Sequence, residues 1–340
     1  MKYSFLFWAL IALCLSCQNS KQNRPPLPGM SWVPGGEFTQ GASSNDPMAM
    51  GHEKPAHKVT VRGFYIDVRE VTNAQFANFV KATSYVTVAE RPINWEEMKK
   101  QLPAGTPKPA DSILMPGGLT FKAAPQKLPN LYDFSQWWSW TIGANWRQPQ
   151  GPGSDIVGKE NHPVVQIAYP DALAYCEWAG RSLPTEAQWE YAARGGLESI
   201  YSWGEDLTLL KDRANSWEGS FPDTNLQTDG YINTAPTASY PPNNFGLYDM
   251  SGNVWEWTQD WYDPRYYKAL AAQTQPIQDP KGAVKANNPN NPYAPEKVIR
   301  GGSFLCNAAY CASYRVSARM ASVTDSSSEH IGFRTVLNIE

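Results

Sequence analysis

Histidine and cysteine are scarce in this chain, with four of one and five of the other among 340 residues. The histidines, His52, His57, His162 and His330, are scattered with no HxxxH spacing. A histidine-ligated zinc or iron centre therefore has no sequence support. Cysteine is too sparse for a disulfide-stapled framework. Charge excess is also missing: 29 Lys and Arg stand against 32 Asp and Glu, a formal net charge of −3. No field draws a polyanion to the surface, which argues against a nucleic-acid partner. The apolar run at residues 5–15 is too short to span a bilayer as a permanent anchor. No Gly-rich phosphate loop, no Ser-His-Asp order and no internal repeat stands out.

What the chain does have begins with an export signal. Met1-Lys2-Tyr3 and the following apolar run form short n- and h-regions, giving a signal peptide over residues 1–16. It ends in Leu13-Cys14-Leu15-Ser16-Cys17, which resembles a bacterial lipobox with Cys17 as the lipidated first residue. Residues 17–28 are polar and then Pro-rich, and read as a flexible tether holding a folded body at a membrane surface. Gln18 and Asn19 supply no retaining aspartate, so the expected location is the periplasmic face of the envelope, with the outer membrane favoured. The body, residues 29–340, is rich in Trp, Tyr, Gly and Pro, of which the whole chain holds 14, 17, 25 and 28. That composition predicts many loops and few long helices.

Local signals place several elements. Residues 30–38 read as a strand and turn, and His57-Lys58-Val59-Thr60-Val61 with Phe64-Tyr65-Ile66 as further strand. Thr72 with Gln75, and Thr185 with Gln188, are capping boxes that open helices. A third helix runs through Ala172, Tyr175, Cys176 and Ala179 and ends at Gly180. The Pro-rich stretch from 92 to about 145 has no sustained period. It is expected to be an ordered excursion, because Trp137, Trp138, Trp140 and Trp146 need somewhere to bury their rings.

Export leaves Cys17, Cys176, Cys306 and Cys311. With Cys17 on lipid, three remain, so at most one disulfide forms, and Cys176 reads as a free thiol in a helix core. Cys306 and Cys311 lie in Arg300-Gly301-Gly302-Ser303-Phe304-Leu305-Cys306-Asn307-Ala308-Ala309-Tyr310-Cys311, among hydroxyls and aromatics. They read as a reactive or metal-binding pair suited to a soft cation such as Cu(I). A plain structural disulfide fits the local sequence equally well.

Several phrases together resemble one family. Gly143-Ala144-Asn145-Trp146-Arg147, His162-Pro163-Val164, Leu183-Pro184-Thr185-Glu186, Asn244-Phe245-Gly246-Leu247-Tyr248-Asp249-Met250-Ser251-Gly252-Asn253-Val254-Trp255-Glu256-Trp257 and Arg300-Gly301-Gly302-Ser303 resemble the sulfatase-modifying-factor domain. Cys306 and Cys311, followed by Tyr314, Arg315, Arg319 and Gly332-Phe333-Arg334, resemble the catalytic segment of the formylglycine-generating enzymes. The resemblance implies an α+β, loop-rich single domain of the sulfatase-modifying-factor (C-type-lectin-like) type, low in regular secondary structure, over residues 29–340. It implies a monomeric, copper-dependent oxidase that acts on an unfolded sulfatase segment and uses O2 to convert the cysteine of a Cys-x-Pro-x-Arg motif to Cα-formylglycine. Cys306 and Cys311 would hold Cu(I), with Ser303, Tyr310, Trp255 and Arg315 as substrate-binding residues.

The same resemblance implies structural calcium. Asn215 and Asp229 would give side-chain ligands and Ser216 and Tyr231 carbonyls, in an oxygen-rich run suited to a hard cation. A second site would combine Asp249 and Glu256 side chains with the Gly252 and Val254 carbonyls. Ala193, Val316 and Thr335 stand where vertebrate members keep additional cysteines. The competing expectation is a non-catalytic envelope lipoprotein of the same fold, serving as a scaffold or binding module with Cys306 and Cys311 merely bridged.

Overall fold

The computed structural model describes residues 25–339. The expected signal peptide, Cys17 and most of the tether lie outside the described residues. Twelve short strands carry the body: β1 (Met30–Val33), β2 (Gly36–Gln40), β3 (His57–Val61), β4 (Phe64–Asp67), β5 (Gly117–Phe121), β6 (Trp138–Ile142), β7 (Trp255–Trp261), β8 (Ile277–Gln278), β9 (Glu296–Arg300), β10 (Arg319–Val323), β11 (Ile331–Gly332) and β12 (Val336–Asn338). The helices are α1 (Asn73–Thr83), α2 (Trp95–Met98), α3 (Tyr169–Ala179), α4 (Glu186–Arg194) and α5 (Tyr266–Ala271). The strands form sheets ordered β1-β4-β12, β10-β9-β7-β11, β2-β3-β8 and β5-β6. Residues 195–254 hold no strand or α-helix, only a 3-10 helix at Leu207–Asp212. The loop-rich body expected from Gly, Pro and aromatic content, and the α+β class that the resemblance implies, are what the chain forms.

Both capping boxes form. Thr72 Oγ1 accepts Gln75 N–H at 3.3 Å while Gln75 Oε1 accepts Thr72 N–H at 2.9 Å. Thr185 and Gln188 repeat the exchange at 3.1 and 3.0 Å. Each pair satisfies N-terminal groups that the helix itself leaves unpaired. α3 and α4 end at Gly180 and Gly195, both left-handed, where a side chain would be strained. Cys176 lies on the buried face of α3.

The four-stranded sheet positions the site, and α4 positions that sheet. Glu186 and Glu190 project from α4 onto Arg300 at the end of β9, at 3.0 and 2.7 Å. Glu186 also takes Arg319 at the start of β10, at 2.6 and 2.8 Å. Arg300 donates onward to the Val316 carbonyl at 2.7 Å. All of these side chains are buried, so each charge depends on its partner, and deleting one member would cost about 3–5 kcal/mol. The clamp fixes the point at which β9 gives way to Gly301 and Gly302. Gly302 has φ 75°, and a Cβ there would stand 2.8 Å from the Ser313 backbone. Only glycine allows that approach.

The excursion corrects one expectation. Trp137 and Trp146 are buried, but Trp138 is half-buried and Trp140 is 38% exposed. β5 and β6 form a two-stranded sheet, joined to the rest through a single bridge from Leu119 to Ser328. A two-stranded ribbon leaves one face open, and Trp140 stands on a cavity wall with Ile113, Leu114 and Met98.

Candidate active site

Beyond Gly302 the chain makes two tight turns that bring the cysteines together. Cys306 N–H donates to the Ser303 carbonyl at 2.8 Å, and Ser303 N–H donates to Cys306 Sγ at 3.4 Å. The Asn307 carbonyl then accepts N–H groups of Tyr310, Cys311 and Ala312 at 3.0, 2.9 and 3.0 Å. Its side chain ties the loop to the Trp217 and Gly219 carbonyls, both at 3.1 Å. Asn307 is thus the pivot that folds Cys311 back on Cys306. Their Cα atoms lie 5.5 Å apart and the sulfurs are joined as a disulfide.

The pair lies at a cavity of about 530 Å³. Ser303, Trp255, Tyr310, Trp138, Leu119 and Met320 are among the walls. Trp255 belongs both to the wall and to the main apolar core. Tyr310 stacks on Phe221 at 4.4 Å and meets Trp137 edge-on at 5.6 Å, which holds its ring at the rim. Burial pushes its phenol above the usual value. Five of the six residues named for the site from sequence, Ser303, Cys306, Tyr310, Cys311 and Trp255, therefore converge on one cavity.

Arg315 does not. Its guanidinium is buried against Glu53, at 2.6 and 2.7 Å, and Asp46, at 2.7 Å. It anchors the N-terminal segment and does not line the cavity. Glu53 and Asp46 balance its charge in the interior, away from the cavity. The expected substrate-binding role is corrected to a structural one.

Sequence reasoning missed His330 at this site. Its Nδ1 lies 3.2 Å from Ser303 Oγ and its ring leans on Trp138 at 4.7 Å. Burial pulls its pKa down to about 3, so the imidazole is neutral. Nothing local marks it, because Ser303 is 27 residues away. His52, His57 and His162 lie elsewhere, with Nδ1 on the Tyr262 hydroxyl, the Pro55 carbonyl and the Thr234 hydroxyl. Cys176 is the free cysteine among the described residues, and burial pushes its thiol up to about 12.

Among the described residues no group of three or more His, Cys, Asp and Glu side chains is gathered to hold a metal. At the cysteine pair the donors are soft sulfurs in apolar surroundings, which fit Cu(I) better than a four-ligand zinc. In the loop after α4, Asn215 spends both amide hydrogens on the Asn233 carbonyl and Asn253 Oδ1, leaving its own Oδ1 as acceptor. Asp229 Oδ1 takes Tyr231 N–H at 3.0 Å, while Asp229 Oδ2 and Ser216 Oγ are buried without partners. Burial raises the Asp229 pKa. A hard cation satisfies such orphaned oxygens.

The second oxygen-rich place differs from expectation. Glu256 gives its carboxylate to Arg334, at 2.7 Å through each oxygen, and to Trp189 Nε1 at 2.8 Å. Neither of its oxygens is left without a hydrogen-bond partner. The orphaned oxygens there belong to Asp249 and Glu70, whose other oxygens accept Ala238 N–H and Asn253 Nδ2. Burial raises both pKa values, and for Glu70 the nearby Asp249 charge adds to it. Asp249 stays a candidate ligand; Glu70, absent from the sequence reading, takes the place of Glu256.

Among the described residues no helix is long and apolar enough to cross a membrane. Residues 16–339 match the sulfatase-modifying factor enzyme 1-like domain. The formylglycine-generating enzyme of Streptomyces coelicolor is 44% identical over 90% of this chain and 88% of its own. The inactive C-alpha-formylglycine-generating enzyme 2 of Mus musculus is 36% identical over 96% of this chain and 91% of its own. Among solved structures, PvdO from Pseudomonas aeruginosa superposes with a TM-score of 0.57 at 24% identity, covering 90% of this chain and 93% of that one, which speaks to the fold alone. With the family match spanning nearly the whole body and relatives aligned over most of their length, the chain belongs to the sulfatase-modifying factor enzyme 1-like family.

Proposed function

We propose that this protein generates formylglycine in sulfatases: it oxidises the cysteine of a Cys-x-Pro-x-Arg segment to Cα-formylglycine. Relatives with and without activity share the fold, so the fold alone does not carry the reading. The observation that carries it is the Cys306–Cys311 pair in the wall of a largely apolar cavity of about 530 Å³.

Converting a cysteine side chain to an aldehyde with O2 releases hydrogen sulfide and water and takes up two further electrons and two protons, which an external thiol supplies. Reduction of the Cys306–Cys311 bond frees two thiolates with no competing imidazole or carboxylate hydrogen-bonded to them. A Cu(I) held by these two sulfurs would supply one-electron chemistry toward O2. The chain's own part is to position and to exclude water. Trp255, Trp138 and Leu119 wall the cavity, and Tyr310 at its rim offers a hydroxyl whose pKa is raised, hence a donor at neutral pH. The enclosure keeps the substrate thiol near the pair and raises its effective concentration there.

Calcium belongs to the same proposal as a structural ion. The orphaned oxygens of Asp229 and Ser216 support one site, and those of Asp249 and Glu70 a second. Lipid attachment at Cys17 and residence at the periplasmic face of the envelope complete the reading, resting on the signal and lipobox resemblance.

The test is direct. The mature chain, reduced and loaded with Cu(I), is incubated in air with a Cys-x-Pro-x-Arg peptide, a thiol reductant and calcium. Mass spectrometry should find the thiol lost and a hydrazine-reactive aldehyde gained. An unchanged peptide would sink the enzymatic reading in favour of the non-catalytic scaffold.

A further inference from the structure

His330 lies at the active-site cavity, yet nothing in the chemistry of two thiolates requires an imidazole there. Its partner Ser303 is held on several sides. Ser303 N–H reaches Cys306 Sγ at 3.4 Å, its carbonyl accepts Cys306 N–H at 2.8 Å, and its hydroxyl accepts Leu305 N–H at 3.3 Å. The same hydroxyl lies 3.2 Å from His330 Nδ1, with its hydrogen free to turn toward that nitrogen. The ring is fixed in turn. The His330 carbonyl accepts Trp255 N–H at 2.9 Å just before β11 pairs with β7, and the imidazole rests on Trp138. Burial alone lowers its pKa, with no charged group opposing, so the imidazole is neutral and has one nitrogen able to accept.

We propose that His330 is a positioning residue for the cysteine pair: by accepting the Ser303 hydroxyl at Nδ1, it locks the turn from Ser303 to Cys306 and holds the Ser303 N–H on Cys306 Sγ. This rests on Cys306 and Cys311 being the reacting pair. The clamp favours the reduced state, because an N–H···S bond to a thiolate is charge-assisted and stronger than one to a disulfide sulfur. Dihydrolipoate-like dithiols reduce the pair by breaking the Sγ–Sγ bond: two electrons pass to the protein sulfurs as the reductant closes its own disulfide, and its two protons go to solvent, leaving the pair as thiolates.

The experiment uses the mature chain, metal-free, equilibrated in dithiothreitol redox buffers with the reduced fraction read by maleimide mass tagging. His330→Leu keeps an apolar contact with Trp138 but removes Nδ1, and should move the equilibrium toward the disulfide by about threefold or more. His330→Asn places Oδ1 where Nδ1 was and should recover most of that shift. In a Ser303→Ala background, His330→Leu should add little, the mark of one coupled unit. With copper restored, His330→Leu should lower kcat while KM for the peptide stays within about twofold. An unmoved equilibrium in His330→Leu would overturn the proposal. So would His330→Asn shifting it as far as His330→Leu, since packing of the ring and not its nitrogen would then matter. The redox arm reads even if the chain shows no turnover, so failure of the enzymatic reading and failure of the clamp are separable.

Discussion

Arg334 and Glu256 face each other in the interior as a two-pronged pair, each prong 2.7 Å long and both side chains fully buried. The pair joins the Gly332-Phe333-Arg334 phrase to the start of β7, next to the wall residue Trp255. Removing the carboxylate's charge leaves a guanidinium buried without compensation. Glu256→Gln should therefore destabilise the protein by about 3–5 kcal/mol. Urea denaturation should give the same loss with and without a chelator. A loss that shrinks when calcium is removed would mean that Glu256 is a metal ligand after all.

Turnover should depend on both sulfurs of the pair and not on the third thiol. Cys306→Ser and Cys311→Ser should each lower kcat by about a thousandfold or more, because neither remaining thiolate can do the work of two. In reducing buffer, where no bridge exists to lose, their Tm should stay within about 3 °C of the parent's. Cys176→Ala should keep turnover, since burial on α3 holds that thiol protonated and out of reach. Peptide conversion followed by mass spectrometry, beside a thermal melt, checks all three.

Much of the fold and site is legible in the chain because it is local. The capping boxes at Thr72 and Thr185 need only partners three residues apart, and the Gly180 and Gly195 stops only a left-handed backbone. The cysteine pair and Ser303 likewise fall within one short segment. What cannot be read depends on distant partners. Arg315 reads as a substrate residue only while its carboxylates, Glu53 and Asp46, are out of view, at separations of 262 and 269 residues. Glu70 escapes notice at the second calcium place because it reaches Asn253 across 183 residues. His330 carries no motif of its own and gains meaning only beside Ser303. Trp140 reads as an interior ring, but its two-stranded ribbon has one uncovered face.

Calcium should stabilise the loop after α4. A cation bound only by the folded chain contributes about 2.7 kcal/mol when its concentration is about a hundred times Kd. Chelation should accordingly lower the Tm of the parent. In Asp229→Ala, which loses the orphaned Oδ2, chelation should produce a smaller drop. If the two proteins respond to chelator alike, Asp229 does not hold the ion that matters for stability.

Glu329 should make stability fall as pH rises through the weakly acidic range, against the neutral buried His330, whose lowered pKa acts in the opposite direction. The Glu329 carboxyl, next to His330 in sequence, is buried with Phe121 N–H and Gln150 Nε2 as donors, and burial raises its pKa to about 7. Between the unfolded value near 4.5 and the folded value near 7, the folded state binds more protons than the unfolded one. The contribution is thus complete below about pH 4.5 and is lost as pH climbs to about 7, by about 3 kcal/mol in all. Asp171, raised to about 6, and Asp260, raised to about 7, act in the same direction. Glu329→Gln cannot ionise, so its unfolding free energy relative to the parent's should rise by about 3 kcal/mol across this interval, whatever the slope His330 adds to both. Urea titrations at about pH 5, 6 and 7 measure the slope, and parallel curves for the two proteins would show that Glu329 is already ionised in the folded state.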